Sequence, residues 1–309
     1  MDIQYLGHQQ IDKHLWDQLI RSAPGGTLYG QSWYLDAVCP GWQALVSGDY
    51  SRLMPLTYGR KFGFSYLYQP FLSQQLGVFS RAHLKPQEVD EFLGAIPPVF
   101  KLIEITLNDQ NPPGPIFPVE KHTTCRLNLN PAYSRIQEKY TENTRRNLKK
   151  APLDNLRFRT NITLLEFLEL LPKDKSAGAH ILAFNKNRPA LLRLVPALLN
   201  RNAGMICGIK NRHGDLLAAA LIAQDKGFHY YLAPAMNDEG RETRAMFYLI
   251  DRYIHLQAGL PAILDFEGSD IESVARFYKG YGAVESTYTS LRINRLPWFL
   301  KQWADHRIK

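Results

Sequence analysis

One eight-residue pattern occurs twice in this chain. Gly63-Phe64-Ser65-Tyr66-Leu67-Tyr68-Gln69-Pro70 and Gly227-Phe228-His229-Tyr230-Tyr231-Leu232-Ala233-Pro234 both read G-F-x-Y-x-x-x-P. A pattern repeated half a chain apart requires a fold in which one supersecondary unit is used twice. Each copy follows a strand-like run and a tight turn with basic residues: 53–58 with Arg60-Lys61-Phe62, and 216–224 with Asp225-Lys226. Glycine at the end of so short a loop supplies the positive φ that a hairpin needs. Each copy is followed by a helical pattern and then by an apolar run that ends in polar residues. In the first half these are 86–96, 102–107 and Asn108-Asp109. In the second they are 243–258, 262–266 and Glu267-Gly268-Ser269. The same order twice implies an internal duplication, and 309 residues suit two domains.

The second half is the more legible. Runs at 205–210 and 216–224 flank the turn Asn211-Arg212-His213-Gly214-Asp215, and 228–232 adds a third strand, which makes an antiparallel meander. Met246, Leu249, Ile250 and Tyr253 follow at helical spacing, and the helix stops at Gly259 with Pro261 beyond. The short apolar run 262–266 reads as a strand buried on both faces. Ser269-Asp270-Ile271-Glu272 reads as a capping box opening a helix that ends at Gly280, and 284–293 alternates like a final strand. The fold class is α/β, in the mixed-sheet α+β sense.

Between the halves, Asn130 and Pro131 read as the cap and first residue of a single helix over 131–150. Ile136, Tyr140, Thr144 and Leu148 share one side of it, and Arg135, Lys139, Arg145, Arg146, Lys149 and Lys150 occupy the other. Residues 131–160 carry eight basic side chains against three acids, a local excess of +5 within a chain of net charge +8. Such a face meets anionic groups or simply solvent, and charge alone does not choose. The expected division is a first domain over 1–130, a linking basic helix over 131–150 and a second domain over 151–293. The tail 294–309 holds Trp298, Phe299 and Trp303 and must dock, because exposing so much aromatic surface is unfavourable.

Several classes are excluded. The longest apolar run, 216–223, is far short of the ~20 residues of a membrane helix. The charged N-terminal stretch lacks the apolar core of a signal peptide. Cys39, Cys125 and Cys207 are scattered singly, which reads as reduced core thiols in a cytoplasmic protein, with no metal site. No H-E-x-x-H, C-x-x-C, G-x-S-x-G or Walker pattern is present.

The second half then resembles the GNAT (acyl-CoA N-acyltransferase) fold: meander, helix, buried strand, helix, terminal strand. Ala275-Arg276-Phe277-Tyr278-Lys279-Gly280-Tyr281-Gly282-Ala283 resembles the A-x-x-x-Y-x-x-x-G-F signature of that superfamily, with Ala283 in place of the aromatic. The stretch Arg145-Arg146-Asn147-Leu148-Lys149-Lys150-Ala151 resembles the R-R-N-L-x-K-A of Fem-like peptidyltransferases, and Leu264-Asp265-Phe266-Glu267-Gly268-Ser269 resembles their buried strand and exit loop. The resemblance implies two tandem GNAT-like domains and transfer of an acyl or aminoacyl group to an amine acceptor, a small molecule or peptide. It also implies a tail that returns to the first domain. No resident cofactor is required, and acyl-CoA or aminoacyl-tRNA would be the co-substrate, the latter making tRNA a partner. The alternative is a GNAT-like scaffold without catalysis that binds a nucleotide-linked ligand, RNA or protein.

Site residues follow from the resemblance. Tyr278 would be the general acid, or a core residue, since it shares a helix face with Ile271 and Val274. Glu267 would accept the amine proton, or stand as an exposed loop acid near a helix start. The phosphate-cradling loop R/Q-x-x-G-x-G/A falls on 237–245, giving Gly240, Arg241 and Arg244 as donor contacts with Tyr231 and Leu232 on the adjacent strand. Arg244 stands where that loop has glycine, which leaves acyl-CoA and aminoacyl-tRNA both open. Arg145, Arg146, Ser269 and Tyr68 are the expected substrate contacts, with a helix cap as the competing role for Ser269 and sheet packing for Tyr68. The exposed backbone N–H groups of such a site would lie between 228–233, a strand interrupted at Pro234, and 262–266.

Overall fold

A computed structural model describes residues 2–171, 184, 186–268 and 270–296. The chain divides into two compact units. Unit 1 runs to His122 and resumes at Thr287; unit 2 runs from Thr123 to Ser286.

In unit 1, β1 (Ile3–Leu6), β2 (Gln43–Ser47), β3 (Arg52–Leu56) and β6 (Phe79–Ser80) form an antiparallel sheet in the order β1-β2-β3-β6. A second set holds β4 (Tyr58–Lys61), β5 (Phe64–Leu67) and β7 (Phe100–Leu107), with β14 (Val284–Asn294) pairing β7 from Thr289 onward. The run expected as one strand over 53–58 is thus broken at Thr57, whose hydroxyl donates to the Tyr68 carbonyl, so β3 and β4 enter different sheets. Helices α1 (Lys13–Ser22), α2 (Ser32–Val38) and α3 (Pro86–Gly94) belong to this unit, and Val89, Phe92 and Leu93 of α3 join Phe100, Ile103 and Leu291 in its core. The described start of the tail also belongs here, with the Arg295 N–H donating to the Lys101 carbonyl. Trp298, Phe299 and Trp303 lie outside the described residues.

Unit 2 has strand order β8-β13-β12-β11-β10-β9, from β8 (Val119–Asn128), which enters the unit at Thr123, to β9 (Arg157–Arg159). The meander is β10 (Gly204–Lys210), β11 (Leu216–Asp225) and β12 (Phe228–Met236), all antiparallel. Residues 217–223 of β11 are buried on both faces, which explains a run of small and branched apolar residues instead of an alternation. The strand β13 (Ile263–Asp265) pairs parallel to β12 and antiparallel to β8. It is reached through α9 (Ala245–Gln257), whose Leu249, Ile250, Tyr253 and Ile254 are buried.

The two copies of the repeat form matching hairpins. Phe62 and Gly63 have φ of 50° and 77°, and Lys226 and Gly227 have 48° and 76°, as a two-residue type I′ turn requires.

The expected single helix over 131–150 is two helices inside unit 2, not one link between domains. Here α4 (Tyr133–Gln137) ends before Thr141, and Thr141 caps α5 (Glu142–Lys150) by accepting from the Thr144 N–H. The break is held by the Thr141 N–H donating to the Gly280 carbonyl. Asn130 caps neither helix; its N–H donates to Asn128 Oδ1. The apolar side is as expected, with Ile136, Tyr140 and Thr144 buried. The remaining helices of the unit include α6 (Leu164–Leu170), α7 (Arg188–Asn200), α8 (Asp238–Glu242) and α10 (Glu272–Lys279). The capping residue of α10 is Ile271, without a side-chain bond, and Asp270 instead accepts from the Thr123 N–H.

Candidate active site

Strands β12 and β13 are paired only from Phe228 to Tyr230 against Ile263 to Asp265. Beyond that point they part. Strand β12 continues on β11 as far as Met236, with a bulge: Leu221 opposes Ala233 and Ile222 opposes Tyr231, so Leu232 is the extra residue. Pro234 does not interrupt the strand as expected. It faces Ala220 in the register with β11, past the last β13 pair, where no second strand calls for its missing N–H.

A cavity of about 340 Å³ opens beside the part of β12 that runs past its last β13 pair. Tyr231 and Pro234 of β12, Arg241 of α8, Met246 of α9, and Phe277 and Tyr278 of α10 contribute to its largely apolar wall. Tyr278 is buried, stacked on Phe266 and edge-on to Tyr231. Its hydroxyl has no hydrogen-bond partner among the described residues, whereas the neighbouring Tyr231 hydroxyl donates to Met246 Sδ at 2.9 Å. Burial raises the Tyr278 phenol well above its ordinary range, with smaller electrostatic contributions from neighbouring Cys125 and Glu267, so this group keeps its proton at neutral pH. The Tyr278 ring is part of the core, and the residue also lines the cavity.

The α10 signature has a geometric reason. Gly282 has φ of 84°, and a Cβ there would lie 2.8 Å from Lys139 Cβ, so only glycine fits the turn after the helix.

At the exit of β13, Asp265 is buried and anchors three groups. It accepts from the Thr124 hydroxyl, from Arg126 Nε at 2.8 Å and from the Glu267 N–H at 3.0 Å. The last bond holds the turn that places half-buried Glu267 at φ 57°, a left-handed conformation uncommon outside glycine. Asp265 was not singled out from the sequence, although a lone acid inside the apolar run 262–266 was the signal for it.

The loop over 237–245 departs from a phosphate cradle. Gly240 is buried, and its N–H donates to Asn237 Oδ1 at 2.8 Å, capping α8. A Cβ at Gly240 would meet the Leu217 carbonyl at 2.3 Å, so the glycine answers a packing demand. Arg241 lines the cavity and pairs with Asp238. Arg244 has φ of 60° and precedes α9, so an arginine sits in the conformation that glycine favours; its guanidinium donates to the Arg241 carbonyl at 2.6 Å.

The remaining expected contacts lie elsewhere. Arg145 and Arg146 are exposed on α5; Arg145 donates to the Glu138 carbonyl at 2.7 Å and Arg146 to Asn143 Oδ1 at 3.0 Å. Neither lines the cavity. Tyr68 belongs to unit 1, where its ring lies 5.8 Å from that of Tyr66 and its hydroxyl approaches Cys39 Sγ. Ser269 lies outside the described residues. Deeper in unit 2, Nδ1 of the buried His229 is hydrogen-bonded to the Tyr253 hydroxyl at 2.9 Å, and that hydroxyl also accepts from Gln224.

The duplicated unit does not repeat the opening. In unit 1, β5 and β7 pair parallel over 65–67 and 100–103, but the chain's own segment takes the edge beyond. The Leu76 N–H donates to the Thr106 carbonyl, the Asn108 N–H to the Leu76 carbonyl, and the Thr106 N–H to Gln69 Oε1.

Solved structures share this architecture. FemX matches with a TM-score of 0.64 at 12% identity, over 99% of this chain and 100% of that one. A tandem GNAT protein from the clavulanic acid biosynthesis pathway matches at 0.54 and 10% identity, over 96% of this chain and 99% of that one. The chain has the tandem GNAT-like fold. L-PGS from Bacillus licheniformis shares it at a TM-score of 0.55 and 12% identity, over 96% of each chain. No family model and no curated protein matches the sequence of this tandem GNAT-like chain. Among the described residues no helix is long and apolar enough to cross a membrane, and no group of His, Cys, Asp and Glu could hold a metal ion.

Proposed function

We propose that unit 2 transfers an acyl or aminoacyl group from an activated ester or thioester to an amine. The observation that carries this reading is Tyr278, which lines a cavity beside β12 past its last β13 pair and whose hydroxyl keeps its proton and has no partner among the described residues. In the step, the neutral amine nitrogen attacks the donor carbonyl carbon, and the C=O electron pair moves to oxygen. Backbone N–H groups of β12 beyond Tyr230, at the Leu232 bulge, receive that oxyanion. Collapse breaks the C–O or C–S bond, and the departing atom takes the proton of Tyr278. The proton lost by the attacking nitrogen goes to Glu267, directly or through one water, and Tyr278 is recharged from solvent.

The chain's residues suffice for these steps, so a resident cofactor is not part of the proposal. Acyl-CoA and aminoacyl-tRNA are the two donor classes that the chemistry admits. Of the neighbours in fold, one is named as a tandem GNAT protein and another as a putative lysylphosphatidylglycerol synthetase domain from Agrobacterium fabrum, at a TM-score of 0.55 and 10% identity over 95% of each chain. Both names suit transfer to an acceptor group. The engaged Gly240 N–H and the arginine at position 244 weigh toward aminoacyl-tRNA, whose phosphates would meet the Arg145 and Arg146 face of α5.

The same two observations favour a second reading, a scaffold that binds a nucleotide-linked ligand, RNA or protein without turnover. Incubating the protein with labelled acyl-CoAs and aminoacyl-tRNAs, each with a panel of small amines and amino-terminal peptides, separates the two. Label moving to an amine, and falling sharply for Tyr278→Phe, supports transfer. Saturable donor binding with no transfer to any amine supports the scaffold. Transfer undiminished in Tyr278→Phe refutes the assigned acid.

A further inference from the structure

The cavity beside β12 is lined by two methionines, Met236 and Met246, together with Pro234, Val274 and Phe277. Tyr231 adds its ring and withholds its polar end, because its hydroxyl donates to Met246 Sδ at 2.9 Å. Among the described lining residues there is no carboxylate. The one charged side chain is Arg241, which is more than half exposed and paired with Asp238. Ser273 also contributes, from the exposed side of α10, and Glu267 does not line the cavity.

Such a wall selects by charge before it selects by shape. A desolvated ammonium needs a carboxylate or several oxygens around it. Here it would meet thioethers, rings and the Arg241 cation. A hydrocarbon chain finds dispersion contacts on the same surface, and methionine side chains adapt to its outline. The volume, about 340 Å³, is near the lower end of ligand pockets, which span roughly 300–1,000 Å³. A single methyl group leaves most of that space unfilled, whereas a chain of leucyl or hexanoyl size uses it. Tyr278 lines the same cavity, so a chain attached to the reacting carbonyl falls among these residues.

We propose that the group transferred by unit 2 carries an uncharged apolar chain of leucyl or hexanoyl size, held against Met236, Met246, Val274 and Phe277. This specificity rests on the transfer reading of unit 2. Two donor series on the full chain test it, by competition binding and by transfer of label to an amine. One is acetyl-, hexanoyl- and 6-aminohexanoyl-CoA; the other is alanyl, leucyl and lysyl groups carried by one and the same tRNA. In the series the protein uses, the apolar chain should exceed the methyl-sized one by about 10-fold or more in affinity, and in kcat/KM where label is transferred. The charged chain should fall below the apolar one by a similar factor, and the series that shows this order names the source of the chain. Val274→Asp places a carboxylate in the wall and should move the preference toward the 6-aminohexanoyl or lysyl donor, with a melting curve to verify folding. The order measured on the native chain decides the matter even where that variant does not fold. The apolar preference in binding, with no transfer to any amine, would support the pocket's specificity and refute transfer. Equal use of charged and apolar chains, a preference for the smallest chain, or no binding of any donor overturns the proposal. So does an order left unchanged by Val274→Asp in a folded protein.

Discussion

Tyr278 lies flat on Phe266, with ring centroids 4.5 Å apart and planes 14° from parallel. One ring comes from α10 and the other from the residue just after β13, so the stack holds Tyr278 where it lines the cavity. It also separates the two roles of the tyrosine. Tyr278→Phe keeps the stack and removes the proton, and it is expected to lower turnover by about 10²-fold or more with little change in melting temperature. Tyr278→Ala removes the ring and is expected to lose roughly 3–5 kcal/mol of stability. Steady-state kinetics beside urea denaturation check both. A Phe variant that unfolds like the Ala variant would contradict the separation.

The loop after β12 makes opposite predictions at two positions. Gly240→Ala would place a Cβ 2.3 Å from the Leu217 carbonyl and 2.8 Å from Met236 Cγ, and is expected to destabilise by about 1–3 kcal/mol. Arg244→Gly would relieve a left-handed φ of 60° and is expected to stabilise by about 0.5–1 kcal/mol, less whatever its bond to the Arg241 carbonyl contributes. Thermal melts of the two variants should move in opposite directions.

Arg126 and Asp265 form a partly buried pair, with the carboxylate side chain only 2% exposed. Arg126→Ala leaves that charge with the Thr124 hydroxyl and the Glu267 N–H alone, and is expected to cost about 3 kcal/mol or more. Because Asp265 holds the turn at Glu267, Asp265→Asn is expected to reduce turnover as well as stability. A cycle of single and double substitutions, read by urea denaturation, measures the coupling.

His229 provides a pH dependence. Burial lowers its imidazole below the ordinary 6.5, so the folded chain binds fewer protons there than the unfolded chain as the pH falls. Its contribution is fully present above pH 6.5 and declines as the pH drops below that value toward the folded one. The slope of that decline is bounded by about 1.4 kcal/mol per pH unit, the value for one whole proton. His229→Gln should flatten that part of the stability curve, as measured by urea denaturation from pH 8 to 5. Equal slopes for the two proteins would place the histidine's titration elsewhere.

Much of the fold was legible because it is written in local chemistry. The repeat G-F-x-Y-x-x-x-P with a preceding turn residue and Gly63 or Gly227 identified both hairpins, since positive φ at a two-residue turn is a local requirement. The apolar run 216–223 and the spacing of Met246, Leu249, Ile250 and Tyr253 identified the buried strand and the helix beside it, because burial on two faces and on one leave different periods. The signature around Tyr278 and Gly282 located α10 and its exit.

The site depended on distance. That Tyr278 meets Tyr231 at one cavity follows from β12 running on past its last pair with β13 after Tyr230, and no spacing in the chain encodes where a parallel pair ends. The split of 131–150 into two helices came from the Gly280 carbonyl, more than a hundred residues away, accepting from the Thr141 N–H. Arg145 and Arg146 read alike as phosphate ligands or solvated charges, and only folding put their guanidiniums on Glu138 and Asn143. The sequence by itself determined the turns, the periods and the duplication, because backbone dihedrals and burial act residue by residue. The tertiary structure decided which duplicate stays open: segment 69–76 occupies the edge beside β7 in unit 1, while a cavity lies beside β12 in unit 2. Two similar strand orders differ there because a hydrogen-bonding edge is filled by whichever segment the rest of the fold brings within reach.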